Sequence, residues 1–238
     1  MRDLLEVPFD AKGSFKNRKN RFLGEVEVEK TLSIEEVHIR DPGRLNEILY
    51  PGNEVLLEKA VDDDRKTDWT LLAGKVGDDW VFVNSGYHRM IAENLLEDAE
   101  ISPFGEIISY KAEIMLGESR IDFLLEKDDQ KIWLEIKGCT LAEDGVALFP
   151  DAPTKRGRRH VEELVGAIDQ ENTSCALLFL VFRSDASCFT PHKDKDPEFA
   201  KVFDEAVEAG LDVHPVKLNY DGTAVEYIRE IPLCDSYG

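Results

Sequence analysis

Apolar and polar positions divide the chain into two stretches of different rhythm. From Arg21 to about Asn84 the runs are short, and Phe22, Gly24, Val26 and Val28 alternate with Glu25, Glu27 and Glu29 as in a strand wet on one face. Strands are predicted at 21–29, 32–39, 54–59, 69–76 and 80–83, punctuated by the turn signals Asp41-Pro42-Gly43 and Gly77-Asp78-Asp79. Five short strands predict a small OB-like barrel, with a short helix at 45–49 between its second and third strands.

Beyond residue 85 helix and strand signals mix. A helix at 90–99 buries Ile91, Ala92, Leu95 and Leu96, and strands follow at 106–115, 119–126 and 131–137. Thr154 is placed to cap a second helix whose Val161, Leu164, Val165 and Ile168 form an i, i+3, i+4, i+7 stripe. The continuously apolar run at 175–182 predicts a central strand covered on both faces. Asp196-Pro197 opens a third helix that closes at Gly210, and strands at 211–218 and 225–231 complete a mixed sheet. These patterns give two domains, a barrel over 1–85 and an α/β unit over 86–238, packed together without a Gly/Ser-rich linker.

Composition refines this picture. No apolar run approaches the roughly 18 residues of a membrane span, and the opening MRDLLEVPFDAKG lacks the apolar core of a signal peptide, so a cytoplasmic location is expected. Lys+Arg 29 against Asp+Glu 49 leaves a net charge of -20, which repels polyanions at long range. Positive charge nonetheless gathers at Lys12, Lys16, Arg18, Lys19 and Arg21, and again at Lys155, Arg156, Arg158, Arg159 and His160. Cys139, Cys175, Cys188 and Cys234 form no C-x-x-C pair and are expected to be reduced thiols.

Chemistry concentrates in Ser119-Arg-Ile-Asp122-Phe-Leu-Leu125 and Ile132-Trp-Leu-Glu135-Ile-Lys137. Ile132, Leu134 and Ile136 share one face of their strand, leaving Glu135 and Lys137 on the other. Ile121, Phe123 and Leu125 likewise face away from Arg120, Asp122 and Leu124. A hairpin that sets Glu126 opposite Lys131 brings Asp122 across from Glu135 and Arg120 across from Lys137, whereas a slip of one residue abolishes the cluster. Two neighbouring carboxylates call for a proton or a cation between them, and oxygen ligands suit Mg²⁺ or Mn²⁺. Lys137 would then steady a developing anion, which is the chemistry of phosphodiester hydrolysis. The plainer reading is a cross-strand surface trio in which Lys137 simply pairs with acids.

Asp122, twelve intervening residues and Glu135-Ile136-Lys137 resemble the PD-(D/E)XK nuclease motif, within the order helix, three strands, helix, strand of restriction-endonuclease-like folds. A wider stretch is more specific: Gly117-Glu-Ser-Arg-Ile-Asp-Phe-Leu-Leu125, then Glu135-Ile-Lys137, then Thr140-Leu-Ala-Glu-Asp-Gly-Val-Ala-Leu-Phe-Pro-Asp-Ala-Pro-Thr-Lys-Arg-Gly-Arg-Arg-His160. It is similar to the SfsA family, sugar fermentation stimulation protein A and its homologues. The resemblance implies an N-terminal OB-fold, a C-terminal nuclease-like domain and an association with DNA. By position it implies metal ligands at Asp122 and Glu135, a catalytic lysine at Lys137, and Glu93 as the acid that such nucleases often take from their first helix. Glu113 competes for that last role. At 40–45, where bacterial members usually read close to Pro-Asn-Thr-Gly-x-Met, this chain has Arg-Asp-Pro-Gly-Arg-Leu.

Basic residues at the start of a helix oppose its dipole, so Lys155, Arg156, Arg158, Arg159 and His160 are candidates for gripping a phosphate backbone, with pairing to Glu162 and Glu163 as the alternative. Arg18, Lys19 and Arg21, with Phe15 and Phe22 as stacking platforms, are the corresponding candidates on the barrel. His38, His88, His192 and His214 lack metal spacing and are expected to be structural or surface groups. The expectation is a DNA-binding protein with a Mg²⁺-dependent nuclease site. The rival is a nucleic-acid-binding transcriptional regulator of sugar metabolism whose nuclease site is vestigial.

Overall fold

The computed structural model describes residues 1–61, 66–168 and 170–234. The first half holds β1 (Arg2–Glu6), β2 (Ala11–Asn20), β3 (Leu23–Val28), β4 (Ser33–His38), β5 (Glu54–Lys59), β6 (Trp69–Val76) and β7 (Asp79–Phe82). The second holds α1 (His88–Glu97), β8 (Ser109–Leu116), β9 (Ser119–Lys127), β10 (Gln130–Cys139), β11 (Leu141–Glu143), β12 (Val146–Phe149) and α2 (Lys155–Ile168). It continues through β13 (Thr173–Val181), β14 (Cys188–Pro191), α3 (Pro197–Glu208), β15 (Asp212–Tyr220) and β16 (Ala224–Glu230).

Five antiparallel-linked strands in the order β4-β3-β2-β5-β6 close into a barrel when β4 pairs in parallel with β6 at Val37–Trp69 and His38–Thr70. The expected OB-like barrel is therefore present, but its membership differs. Strand β2 was not predicted; only Ala11, Gly13 and Phe15 of its residues point into the barrel, two of them small, so its apolar rhythm is faint. The predicted fifth strand, now β7, lies outside the ring and carries the sheet across to β15 through Trp80–Tyr220. The helix expected at 45–49 is a single turn, with Ile48 and Leu49 amides donating to Leu45 O. Leu45 itself sits at φ +51°, and Tyr50 precedes a proline, which disfavours helix at its far end. Phe15 is 1% exposed and belongs to the core, so it is no stacking platform, whereas Phe22 is 50% exposed.

In the second half β15, β13 and β10 run parallel, and β9, β8 and β16 add antiparallel neighbours, giving the mixed sheet. Strand β1 extends this sheet by pairing with β16. The continuous apolar strand β13 is central, as its composition requires. Ala176, Leu178 and Leu180 face a core shared with α1 and the barrel, while Cys175, Leu177, Phe179 and Val181 face a second core under α2 and α3. Thr154 caps α2 through Gly157 N–H, and the buried Asp196 carboxylate ties both helix starts together by accepting from Phe199 N–H and Thr154 N–H.

Two expectations fail here. Cys188 and Cys234 form a disulfide across 46 residues, instead of two free thiols. The chain after β16 returns beside β14, where Phe189 bridges Leu233 and accepts from Cys234 N–H, and this long-range pairing sets the two cysteines side by side. Cys139 and Cys175 remain free and buried. Ile121 leaves the face of Phe123 and Leu125 and packs in the α2 core with Val161 and Leu164. The β9–β10 ladder ends at Phe123–Leu134, Glu113 of β8 adopts φ +56° opposite Asp122, and the tip of the β8–β9 hairpin meets α2, where Glu118 N–H donates to Glu163.

Candidate functional site

The β9–β10 turn fixes what comes together. Lys131 pairs with Glu126, Ile132 with Leu125, Trp133 with Leu124 and Leu134 with Phe123. Continuing that register sets Asp122 against Glu135, but no backbone ladder continues there. Instead Asp122 Oδ2 accepts from Ile136 N–H at 2.7 Å, so the side chain replaces the missing strand partner and is pinned beside Glu135. Arg120 is not brought to Lys137; it pairs with Met115 and reaches Glu113 at 3.4 Å.

Glu135 is 3% exposed. Its Oε1 receives both Lys137 Nζ and His160 Nδ1, each at 2.5 Å, while its Oε2 is buried with no hydrogen-bond partner among the described residues. Burial opposes the Glu135 charge, but the Lys137 ammonium and the hydrogen bond from His160 outweigh it and hold the carboxyl below its ordinary range. Asp122 moves the other way: burial and the neighbouring Glu135 push it up to about 6, against the Ile136 N–H bond and Lys137. Neighbouring carboxyls driven apart in this way mark a place where added positive charge is favourable. Among the described residues no group of three or more His, Cys, Asp and Glu side chains gathers as a protein-only cage would. Mg²⁺ and Mn²⁺ do not need one, since one or two carboxylates with water and phosphate oxygens suffice. An orphaned buried carboxylate oxygen beside a second carboxyl fits such an ion.

The remaining sequence-predicted residues scatter. Glu93 forms an i,i+4 pair with Arg89 at 2.9 Å on α1, and Glu113 sits between Arg89 and Arg120. His160 is 1% exposed and lies on Glu135 instead of on the surface with its basic neighbours. Arg156 Nε donates to His160 Nε2 at 3.2 Å, Arg158 pairs with Glu198, and Arg159 Nε donates to Ser119 Oγ. Lys155 is exposed at the first position of α2. On the barrel, Arg18 donates to the carbonyls of Arg44, Arg21 and Asp41, and Lys19 is held by Glu25 and Glu36. Arg21 is exposed and lines a cavity.

That cavity, about 300 Å³, opens between the barrel and the α/β unit beside Lys137. Asp41, Gly43, Ser85, His88, Gly138, Phe149, Asp151 and Thr154 are among the residues that line it. Gly43 lets two carboxylates approach its backbone closely: a Cβ there would lie 2.4 Å from Asp151 Oδ2 and 2.9 Å from Asp41 Oδ1. Burial pushes Asp41 up to about 6, opposed by the Gly43 N–H bond and aggravated by Asp151. His88 stacks on Phe182, and burial lowers its pKa to about 4. Gly138 lets it sit so close that a Cβ would fall 2.2 Å from His88 Cε1. Sequence reasoning assigned no role to Asp151 or the wall at 149–154. His160, expected among the basic surface residues, is buried, and its helical spacing puts it on one face with Gly157, Val161 and Leu164.

Comparison with known proteins gives a consistent result. Residues 17–83 match the family model described as the SfsA N-terminal OB domain, and residues 86–224 the model described as the sugar fermentation stimulation protein RE domain. Relatives described as sugar fermentation stimulation protein homologs include that of Methanococcoides burtonii, 44% identical over 235 residues (97% of this chain, 95% of the relative). Another, from Methanothermobacter thermautotrophicus, is 45% identical over 218 residues (92% of this chain, 89% of the relative). The solved structure of Pyrococcus furiosus SfsA in complex with Ca²⁺ matches with a TM-score of 0.87 at 29% identity, covering 98% of this chain and 99% of that one.

Proposed function

Because the chain belongs to the SfsA family, whose two domain models together span most of it, we propose that it binds DNA and hydrolyses phosphodiesters with a divalent cation held by Asp122 and Glu135. One observation carries the reading: Glu135 presents a buried Oε2 without a partner next to an Asp122 whose charge is disfavoured until a cation arrives. The Pyrococcus furiosus relative was solved with Ca²⁺, an oxygen-seeking dication of the same hard class as Mg²⁺, which supports it further.

A bound Mg²⁺ or Mn²⁺ would supply positive charge against the phosphoryl oxygens. Asp122 and Glu135 Oε2 would hold it, and the Ile136 N–H bond keeps Asp122 from turning away. Lys137, drawn to Glu135 Oε1, stands where its ammonium can orient a water or stabilise the developing oxyanion. Two carboxylates and one ammonium leave the site one charge negative, so an approaching phosphate is repelled until the cation reverses that sign. Arg21, at the cavity beside Lys137, and Lys155 with Arg156, at the start of α2, are the cations with room to meet neighbouring phosphates. The net charge of -20 is largely screened beyond about 8 Å in physiological salt, so only acids closer than that to the site act against this.

The test is cleavage of labelled single- and double-stranded DNA and RNA with Mg²⁺, Mn²⁺ or EDTA. The expected result is metal-dependent cleavage, lost in Asp122→Ala and Glu135→Ala proteins that still melt cooperatively. Undiminished cleavage in both variants rejects the site. Salt-sensitive binding without cleavage, unaffected by either change, would identify the protein as a nucleic-acid-binding regulator instead.

A further inference from the structure

We propose that His160, held in register by Arg156, is the positioning residue that sets Glu135 for a divalent cation; the inference rests on the reading of Asp122 and Glu135 as cation ligands. Its starting point is a misfit in α2. Arg156 lies in the first turn of a 14-residue helix, where a positive side chain opposes the dipole and a surface pairing role gives it no reason to be. Its Nε points inward, four residues along, to His160 Nε2 at 3.2 Å.

That contact decides the histidine's tautomer. A guanidinium has only donors, so His160 Nε2 accepts, and the ring proton sits on Nδ1. Nδ1–H then donates to Glu135 Oε1 at 2.5 Å, inside a setting where His160 is 1% and Glu135 3% exposed. With the opposite tautomer, Nδ1 would present a lone pair to a buried carboxylate, which is repulsive. Arg156 therefore makes the ring a donor toward Glu135.

The consequence falls on the carboxylate's orientation. Oε1 is occupied by His160 and by Lys137, also at 2.5 Å, so rotation about the carboxyl bond would break two charge-assisted contacts in the protein interior. Oε2 alone is left without a partner, and it is this oxygen that an ion would meet. Ligating carboxylates are generally fixed by hydrogen bonds of this kind, and losing one weakens metal binding by about 10- to 100-fold. The chain Arg156, His160, Glu135 thus runs from the exposed basic end of α2 to the candidate ligand. His160 would touch neither cation nor substrate.

The experiment is a calorimetric titration of Mn²⁺ into the full-length protein near neutral pH, without nucleic acid. His160→Leu, which removes the donor, should weaken binding by about 10- to 100-fold, while His160→Asn, whose Nδ2 can occupy the place of Nδ1 and donate to Glu135, should stay within about threefold of the parent. Arg156→Leu, at an exposed position, should lose several-fold in affinity, and ¹⁵N NMR of the His160 ring should change from a single Nδ1-protonated form to a mixture. Unchanged Mn²⁺ affinity in His160→Leu, or His160→Asn as weak as His160→Leu, overturns the proposal. If His160→Leu does not fold, Arg156→Leu decides: unchanged affinity and an unchanged ring signature overturn it. A parent protein that binds no Mn²⁺ rejects the cation site itself, a result distinct from equal binding in all variants.

Discussion

Replacing Asp122 by asparagine should stabilise the metal-free protein at alkaline pH. Burial and Glu135 raise the folded carboxyl from 3.8 to about 6, so the folded state holds this proton to higher pH than the unfolded chain does. Well below pH 3.8 both states are protonated and the group is neutral toward stability; as pH rises through about 4 toward 6 the folded state carries an increasing penalty, complete above about 6. A displacement of roughly two pKa units corresponds to about 3 kcal/mol at pH 8, falling to about 1 kcal/mol near pH 4.5. Asparagine cannot ionise, and its Oδ1 can still accept from Ile136 N–H, so the variant escapes the penalty while keeping the contact. For a chain of this size, a gain of about 3 kcal/mol raises Tm by roughly 6–12 °C. Thermal melts of both proteins in EDTA at about pH 8 and about pH 4.5 measure it. A variant equal to or less stable than the parent at the higher pH would show that Asp122 is a stabilising ion-pair partner, and the reasoning that assigns it to a waiting cation would fail.

Other outcomes follow from the packing. Gly138→Ala should cost about 1–3 kcal/mol, because the new Cβ falls 2.2 Å from His88 Cε1 at the start of α1; an unchanged Tm would mean that α1 is not seated against β10 there. Denatured without reductant, the protein should present two reactive thiols, those of Cys139 and Cys175, and four after reduction. Cys188→Ser should lower stability by about 2–4 kcal/mol relative to the oxidised parent, and equal urea midpoints would count against the bridge.

How legible each feature was depends on how local its cause is. Strands β5 and β6 were readable to the residue because apolar runs bounded by turn residues need no distant partner for recognition. The start of α3 was equally plain from Asp196-Pro197, a cap and a first-turn proline written side by side. The neighbourhood of Asp122 and Glu135 was accessible because one tight turn at Asp128-Asp129 sets a register that simple counting extends. Counting did not reveal that the ladder stops at Phe123–Leu134, where β8 carries a left-handed backbone at Glu113 and Ile121 packs under α2. The Cys188–Cys234 bridge depends on the last described residues returning to an edge strand, a contact with no local signature. The cavity between barrel and α/β unit is assembled from five separated segments, so no single stretch announces it. His160 was in principle readable, because its helical spacing with Leu164 and Val161 marks the buried side of α2.

The most direct test of the cation site is an anomalous difference map from crystals soaked in Mn²⁺. One peak within coordination distance of Asp122 and Glu135 Oε2, with Lys137 and His160 still on Glu135 Oε1, is the result expected here. A well-ordered Asp122 and Glu135 with no peak between them, at Mn²⁺ concentrations that occupy other sites in the same crystal, would contradict it.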